Sequence, residues 1–126
     1  MAGKEGSKYY DIFLDYSIFL KYKNDEVPVL TPEHFNLLLQ IEELGSISSS
    51  AKELGISYRK AWELIKQAEE RLGFSLVFKH RGGRSGGMTE LTDDGRRLAA
   101  SYRQLRLEFN ESVKRVVKDF FSHINV

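Results

Sequence analysis

Residues 79–87 read Lys79-His80-Arg81-Gly82-Gly83-Arg84-Ser85-Gly86-Gly87, four glycines interleaved with three formal cations. Glycine lets a backbone approach a ligand closely, and lysine and arginine offer charge to phosphate oxygens, so phosphate contact is the chemistry this pattern could perform. Two other readings compete. A nucleotide-binding P-loop wants Lys followed by Ser or Thr after the last glycine, at the mouth of a helix; Met88-Thr89 stand there instead, in a strand-like pattern. A plain flexible hairpin without a partner is the other.

A second constellation lies upstream, in residues 47–65. Two short helices that cross closely need a small side chain at the crossing, met by Ala51, and a turn residue that tolerates positive φ, met by Gly55. Leu54, Ile56, Ala61, Leu64 and Ile65 supply apolar contacts on either side. If Ala61, Leu64, Ile65, Ala68 and Leu72 face inward, then Ser57, Tyr58, Arg59, Glu63 and Lys66 project from the opposite face, with Lys60 and Trp62 towards its flanks. Residues at the start of such a helix reach base edges in a major groove, where arginine pairs bidentately with guanine. Arg59 is the foremost base-reading candidate, against the plain reading of a solvated surface arginine. Trp62 reads either as packing that supports the helix or as a direct contact.

Catalysis finds little support. His34, His80 and His123 are far apart and lack the i, i+4 spacing that puts two metal ligands on one helix face, and the chain has no cysteine for a thiol nucleophile, a thiolate-held zinc or a disulfide. The Glu69-Glu70 pair reads as solvated helix charge and Asp93-Asp94 as acids at a helix start, rather than as an acid/base couple. The expectation is a protein that is not an enzyme and carries no metal or cofactor.

The elements that must position these residues follow from capping and periodicity. Residues 1–8 read as a frayed tail. Residues 9–20 are aromatic and β-branched, and the apolar runs 18–22 and 27–30 flank the polar Lys23-Asn24-Asp25-Glu26. That pattern suggests a β-hairpin with Pro28 on an edge arm, while a helix over 11–20 competes. Thr31-Pro32-Glu33 opens a helix over 31–45, with Phe35, Leu38, Leu39 and the 41–44 stretch as its apolar face and Gly45 as its C-cap. A short helix, a turn at Gly55 and a second helix capped by Ser57 and ended by Gly73 come next. A strand over 74–78, the glycine-rich loop and a return strand over 88–91 lead to Thr92, which caps a last helix. That helix carries Leu98, Tyr102, Leu105, Phe109, Val113, Val116 and Phe120 at spacings of three or four.

Composition agrees with this plan. The 126 residues, 41% apolar and 29% charged, suit one globular domain that buries its own core. Net charge is only +1, yet it is unevenly spread: −4 over residues 1–45, +3 over 46–92 and +2 over 93–126. A basic middle hints at a polyanion partner; surface solvation by mixed charges is the bland alternative. No apolar run reaches the roughly 18 residues of a membrane span, and the start lacks the apolar stretch of a signal peptide, so a cytoplasmic protein without membrane contact is expected.

Three segments together resemble one family. Gly45-Ser46-Ile47-Ser48, the run 51–63 (Ala-Lys-Glu-Leu-Gly-Ile-Ser-Tyr-Arg-Lys-Ala-Trp-Glu), and Gly82-Gly83-Arg84-Ser85-Gly86-Gly87 before Leu91-Thr92 are similar to the N-terminal winged helix-turn-helix domain of the molybdate-responsive ModE regulators. The match covers roughly residues 18–121. A looser similarity reaches the LysR-type regulators, which share the helix-turn-helix but not the recognition segment or the double-glycine wing. The resemblance implies a homodimer on operator DNA, with the last helix in the dimer interface and a short β-hairpin ahead of the first helix. Full-length family members continue into oxyanion-binding modules; with Val126 the last residue here, no molybdate-sensing module and no molybdate response are expected. Met88 replaces a further wing glycine, and residues 1–17 match nothing in the family.

The expected fold is mainly α with small β: a winged helix-turn-helix over 18–92, preceded by an extension over 1–17 and followed by a long C-terminal dimerisation helix over 93–126. The expected function is sequence-specific regulation by a homodimer on double-stranded DNA. The contact set would be Ser48, Ser57, Tyr58, Arg59, Lys60, Trp62, Glu63 and Lys66, with Arg81, Gly82, Gly83, Arg84 and Ser85 on the wing. A winged-helix adaptor that binds protein instead of DNA is the alternative, and an oxyanion sensor is a third reading.

Overall fold

The computed structural model describes residues 4–79 and 88–125. In chain order the elements are β1 (Leu20–Lys21), β2 (Pro28–Leu30), α1 (Pro32–Leu44), α2 (Ile47–Leu54), α3 (Tyr58–Leu72), β3 (Val77–Lys79), β4 (Thr89–Leu91) and α4 (Asp93–Ile124). Two antiparallel hairpins, β1–β2 and β3–β4, bracket the three shorter helices. The chain forms two compact units, Ile18–Tyr102 and Met1–Ser17 with Arg103–Val126, so the boundary falls inside α4.

The expected β-hairpin ahead of α1 is present, in the register Leu20↔Leu30 and Lys21↔Pro28, with a bulge between the two pairs. Pro28 has no N–H to donate, which an edge strand of a two-stranded sheet tolerates. The hairpin is fastened to α3 by polar contacts: Tyr22 Oη donates to Arg71 O at 2.6 Å, and the Arg71 guanidinium donates to Pro28 O at 2.6 Å.

Helix α1 begins as the Thr31-Pro32 signal implies, with one addition. His34 Nδ1 accepts the Thr31 backbone N–H at 3.0 Å and lies 2.9 Å from Thr31 Oγ1, so His34 fills the reciprocal place usually held by Glu or Gln in a capping box. The buried face of α1 is His34, Phe35, Leu37, Leu38 and Ile41. Leu44, expected on that face, is exposed, whereas Leu37, not expected there, is fully enclosed. The correction follows from helix geometry: position 37 lies between 34 and 41 on one stripe, and 44 is the last residue before the chain turns away.

The core of the first unit joins Leu30, Leu37, Leu38, Ile41, Ile47, Ile65 and Leu76 with the first turns of α4. Tyr102 stacks on Phe35 with ring centroids 4.1 Å apart and planes within 5°. The apolar stripe expected to run unbroken along the last helix is thereby divided. Leu98 and Tyr102 are core, and Phe109, Val116 and Phe120 are exposed. In the second unit the buried residues of α4 are Val117 and Phe121, which the stripe did not include.

The start of α4 is built around close approach. Thr92 N donates to Leu76 O at 2.9 Å, Thr92 Oγ1 donates to Ser75 O at 2.8 Å and also accepts the N–H of Gly95 at 3.1 Å. A Cβ on Gly95 would stand well inside van der Waals contact with the carbonyl oxygen of Leu76. Backbone, unlike a flexible side-chain tip, has little room to yield.

Gly95→Ala is therefore expected to destabilise the fold by about 1–3 kcal/mol despite alanine's better helix propensity, as chemical denaturation will measure. His34 yields a pH test. Burial, then the charges of Arg71 and Lys60, hold its pKa below the ordinary 6.5 against the opposing pull of Glu33. A lowered folded-state pKa means that stability is fully present above 6.5 and is lost as pH falls towards the folded value, because the unfolded chain takes up the proton first. His34→Gln keeps a capping-box acceptor that does not titrate, so its stability should change less between pH 7 and pH 5 than that of the parent chain.

Candidate nucleic-acid interface

Crossed helices α2 and α3 are positioned by small residues and by caps. Ala51 and Ala61 are buried at 2% and 0% exposure, and Ser50 is equally enclosed at 0%. The Ser50 hydroxyl is satisfied by donating to Ser46 O at 2.7 Å, so a small polar residue is buried on α2 that apolar reasoning alone passes over. Gly55 ends α2 at φ 70° and its N–H reaches the Ala51 and Lys52 carbonyls, which turns the chain within a few residues. Ser57 then caps α3, its side chain accepting the Lys60 N–H at 3.0 Å.

Helix α3 shows the expected division of faces. Ala61, Leu64, Ile65 and Ala68 are buried, while Ser57, Tyr58, Arg59, Lys60, Glu63 and Lys66 are exposed. The Arg59 side chain is 90% exposed, and its Nε lies 3.7 Å from Glu63 Oε1 one turn on. Such a surface pair is worth little in water, so the guanidinium can leave it at small cost. Trp62 is half-buried against the core and receives Tyr58 edge-on, with ring centroids 6.4 Å apart at 84°. Ser48 is exposed in the first turn of α2.

The flanking hairpin is held beside this surface by main-chain bonds. Strands β3 and β4 pair in the register Val77↔Leu91, Phe78↔Glu90 and Lys79↔Thr89, and Thr89 N donates to Gly45 O at 2.9 Å in the turn between α1 and α2. Glu69, expected to be a solvated charge, instead accepts the N–H groups of Leu76 (2.7 Å) and Val77 (3.3 Å) through Oε2, tying α3 to β3. Only the returning chain brings those donors to it, which explains why helix position alone misled. Glu70 is exposed. The wing residues Arg81, Gly82, Gly83, Arg84 and Ser85, with His80, lie outside the described residues.

Among the described residues, no group of three or more His, Asp or Glu side chains could hold a metal ion, and no helix is long and apolar enough to cross a membrane. Three helices in a helix-turn-helix arrangement, followed by an antiparallel hairpin and a long helix, define a winged helix-turn-helix protein.

Comparison with known proteins gives the family. Residues 32–96 match the family described as "Bacterial regulatory helix-turn-helix protein, lysR family", and the chain belongs to it. Within the curated relatives it is similar to the "Molybdenum transport protein ModE" of Azotobacter vinelandii, 40% identical over 87 residues, or 69% of this chain and 32% of that protein. It is also similar to the "DNA-binding transcriptional dual regulator ModE" of Escherichia coli K12, 38% identical over 85 residues, 68% of this chain and 32% of that one. The chain thus spans about a third of the length of these relatives. Among solved structures, the fold resembles the CbnR_DBD-DNA complex (TM-score 0.57, 22% identity, 69% of this chain and 94% of that one). It likewise resembles full-length LysG of Corynebacterium glutamicum with bound Arg (TM-score 0.59, 22% identity, 72% and 29%).

Replacing the α3 cap is expected to loosen the start of the helix before it unfolds the protein. Ser57→Ala should cost about 1 kcal/mol of stability and raise amide hydrogen exchange over residues 58–60 more than over 64–68.

Proposed function

We propose that this chain is a sequence-specific DNA-binding transcriptional regulator that works as a homodimer, by binding and not by catalysis. One observation carries the reading: the first turns of α3 expose Tyr58, Arg59, Glu63 and Lys66 opposite the buried Ala61, Leu64, Ile65 and Ala68, with the cap Ser57 and Lys60 exposed beside them. An α-helix of this kind fits a major groove with its N-terminal residues on base edges. In this reading Arg59 reads guanine, Tyr58, Lys60 and Ser57 meet phosphate or base, and Glu63 and Lys66 lie along the groove, with Trp62 bracing Tyr58. Ser48 meets the backbone from α2, and Arg81, Gly82, Gly83, Arg84 and Ser85 follow the phosphates on the wing. Relatives and structural neighbours whose names include DNA binding support the assignment.

The homodimer is supported by α4. Phe109, Val116 and Phe120 are exposed and Val113 half-buried, at spacings of four, three and four, the repeat of a helical seam. An apolar stripe of this kind on a small protein is better covered than wet. The expected compartment is the cytoplasm, where the DNA lies. No residue of the chain is assigned to molybdate.

Fluorescence titration of the full chain against duplexes selected from a random pool tests the proposal. The expected result is two chains per roughly palindromic site and an affinity that falls with salt at a log–log slope of about −0.9 per phosphate neutralised. Arg59→Ala should cost about 1–3 kcal/mol and relax preference at one base position, and Arg81→Ala or Arg84→Ala should lower the slope by about one each. Affinity that ignores salt, or survives all three substitutions, overturns it.

A further inference from the structure

The second unit contains a cleft that DNA reading does not use. Residues 4–8 of the N-terminal arm and the last turns of α4 enclose about 980 Å³. Its floor is Val117 and Phe121, both buried, at 1% and 6% exposure. Its rim carries Lys4, Lys8, Lys114 and Lys118, with Glu5 as the single acid among the lining residues. Further along the arm, the Tyr16 hydroxyl donates to Asn110 Oδ1, holding the arm against the same side of α4.

Four ammonium groups around one cleft repel one another. Lys114 Nζ lies 3.9 Å from Glu111 Oε1, a contact exposed to water and correspondingly weak, and Glu5 offsets part of the remaining charge. Lys114 and Lys118 are four apart on one helix, a like-charge spacing that disfavours the helix unless a counter-charge intervenes. An apolar floor beneath a cationic rim suits a ligand with the matching division: an acid group for the lysines and a hydrocarbon body for Val117 and Phe121. Duplex DNA offers the charge without the apolar part, and the volume is that of a small-molecule site.

We propose that this cleft binds a free, water-borne organic acid, a carboxylate on an apolar body, between the N-terminal arm and α4. The floor of the cleft and the apolar stripe occupy different sides of α4, although Phe121 touches Phe120 edge to face. At about 100° per residue, Val117 and Phe121 lie roughly a quarter of a turn around α4 from the Phe109, Val116 and Phe120 stripe. The inference does not depend on DNA binding, since none of its residues belongs to α3 or the wing.

Octanoate is the probe, with neutral octanamide as its control, titrated into the full chain and followed by calorimetry and amide NMR. Expected are one octanoate per chain, shifts concentrated in residues 4–8 and 114–125, and at least tenfold weaker binding of octanamide. Lys114→Glu with Lys118→Glu, both exposed positions, should weaken octanoate at least tenfold while leaving octanamide unchanged and the far-ultraviolet dichroism intact. Equal binding of the two probes, shifts centred elsewhere, or a charge-reversed chain that keeps its octanoate affinity would overturn the proposal. So would sedimentation with phosphatidylglycerol vesicles that saturating octanoate fails to displace, which would place the acid on a membrane instead of in solution.

Discussion

Close approach of backbones through small side chains is the constraint on which the rest of the molecule depends. On α2 and α3, Ser50, Ala51 and Ala61 are all but inaccessible to solvent. Where α4 starts, Gly95 lies against the carbonyl of Leu76. Interiors pack near crystal density, so added volume at the first place strains the packing, and a methyl group at Gly95 must push main chain aside. Because α3 is held at that crossing, its outer residues project as a rigid row. Were α3 free to rock, the same side chains could not present a fixed pattern of donors.

Polar groups complete what packing begins, and each is spent on main chain. Glu69 takes the N–H groups of Leu76 and Val77, Thr92 bridges Ser75 to Gly95, and Arg71 with Tyr22 pins the first hairpin to α3. These bonds fall where the chain leaves regular structure and its own ladder cannot satisfy it. They also carry the wing strands: β3 hangs from Glu69 and β4 from the Gly45 carbonyl, so the base of the hairpin is referenced to the helices on both sides. His34 departs from this economy, for its Nδ1 is used in the cap while its buried Nε2 has no partner among the described residues. Nδ1 can accept the Thr31 N–H only while it carries no proton, so the cap goes with a neutral ring.

Helix α4 does three different things along its length. Its first turns complete the core through Ala99 and Tyr102. Further on it has one apolar face buried, at Val117 and Phe121, and another exposed, at Phe109, Val116 and Phe120. An unpartnered apolar stripe of that spacing is costly to leave in water, which is the physical argument for a second copy. Residues 4–8 of the arm lie over the buried face, beside Val117 and Phe121.

Much of this was legible in the residue order. Thr31-Pro32, Gly55, Ser57 and Thr92 mark helix ends because capping is local chemistry, decided by a side chain and the few amides beside it. The buried and exposed faces of α3 follow from a period of 3.6, and the return strand of the wing from its flanks, whereas β3 begins at Val77 and not at Phe74. The order could not say that Glu69 would meet the amides of Leu76 and Val77, that Leu37 and not Leu44 would be enclosed, or that Gly95 would be pressed against Leu76. Nor could it say that Val117 and Phe121 would be covered while Phe120 beside them stayed wet. Each of these depends on a neighbour distant along the chain or on where the path turns, and periodicity is silent on both: it shows which residues share a side, and only the folded chain supplies what that side meets.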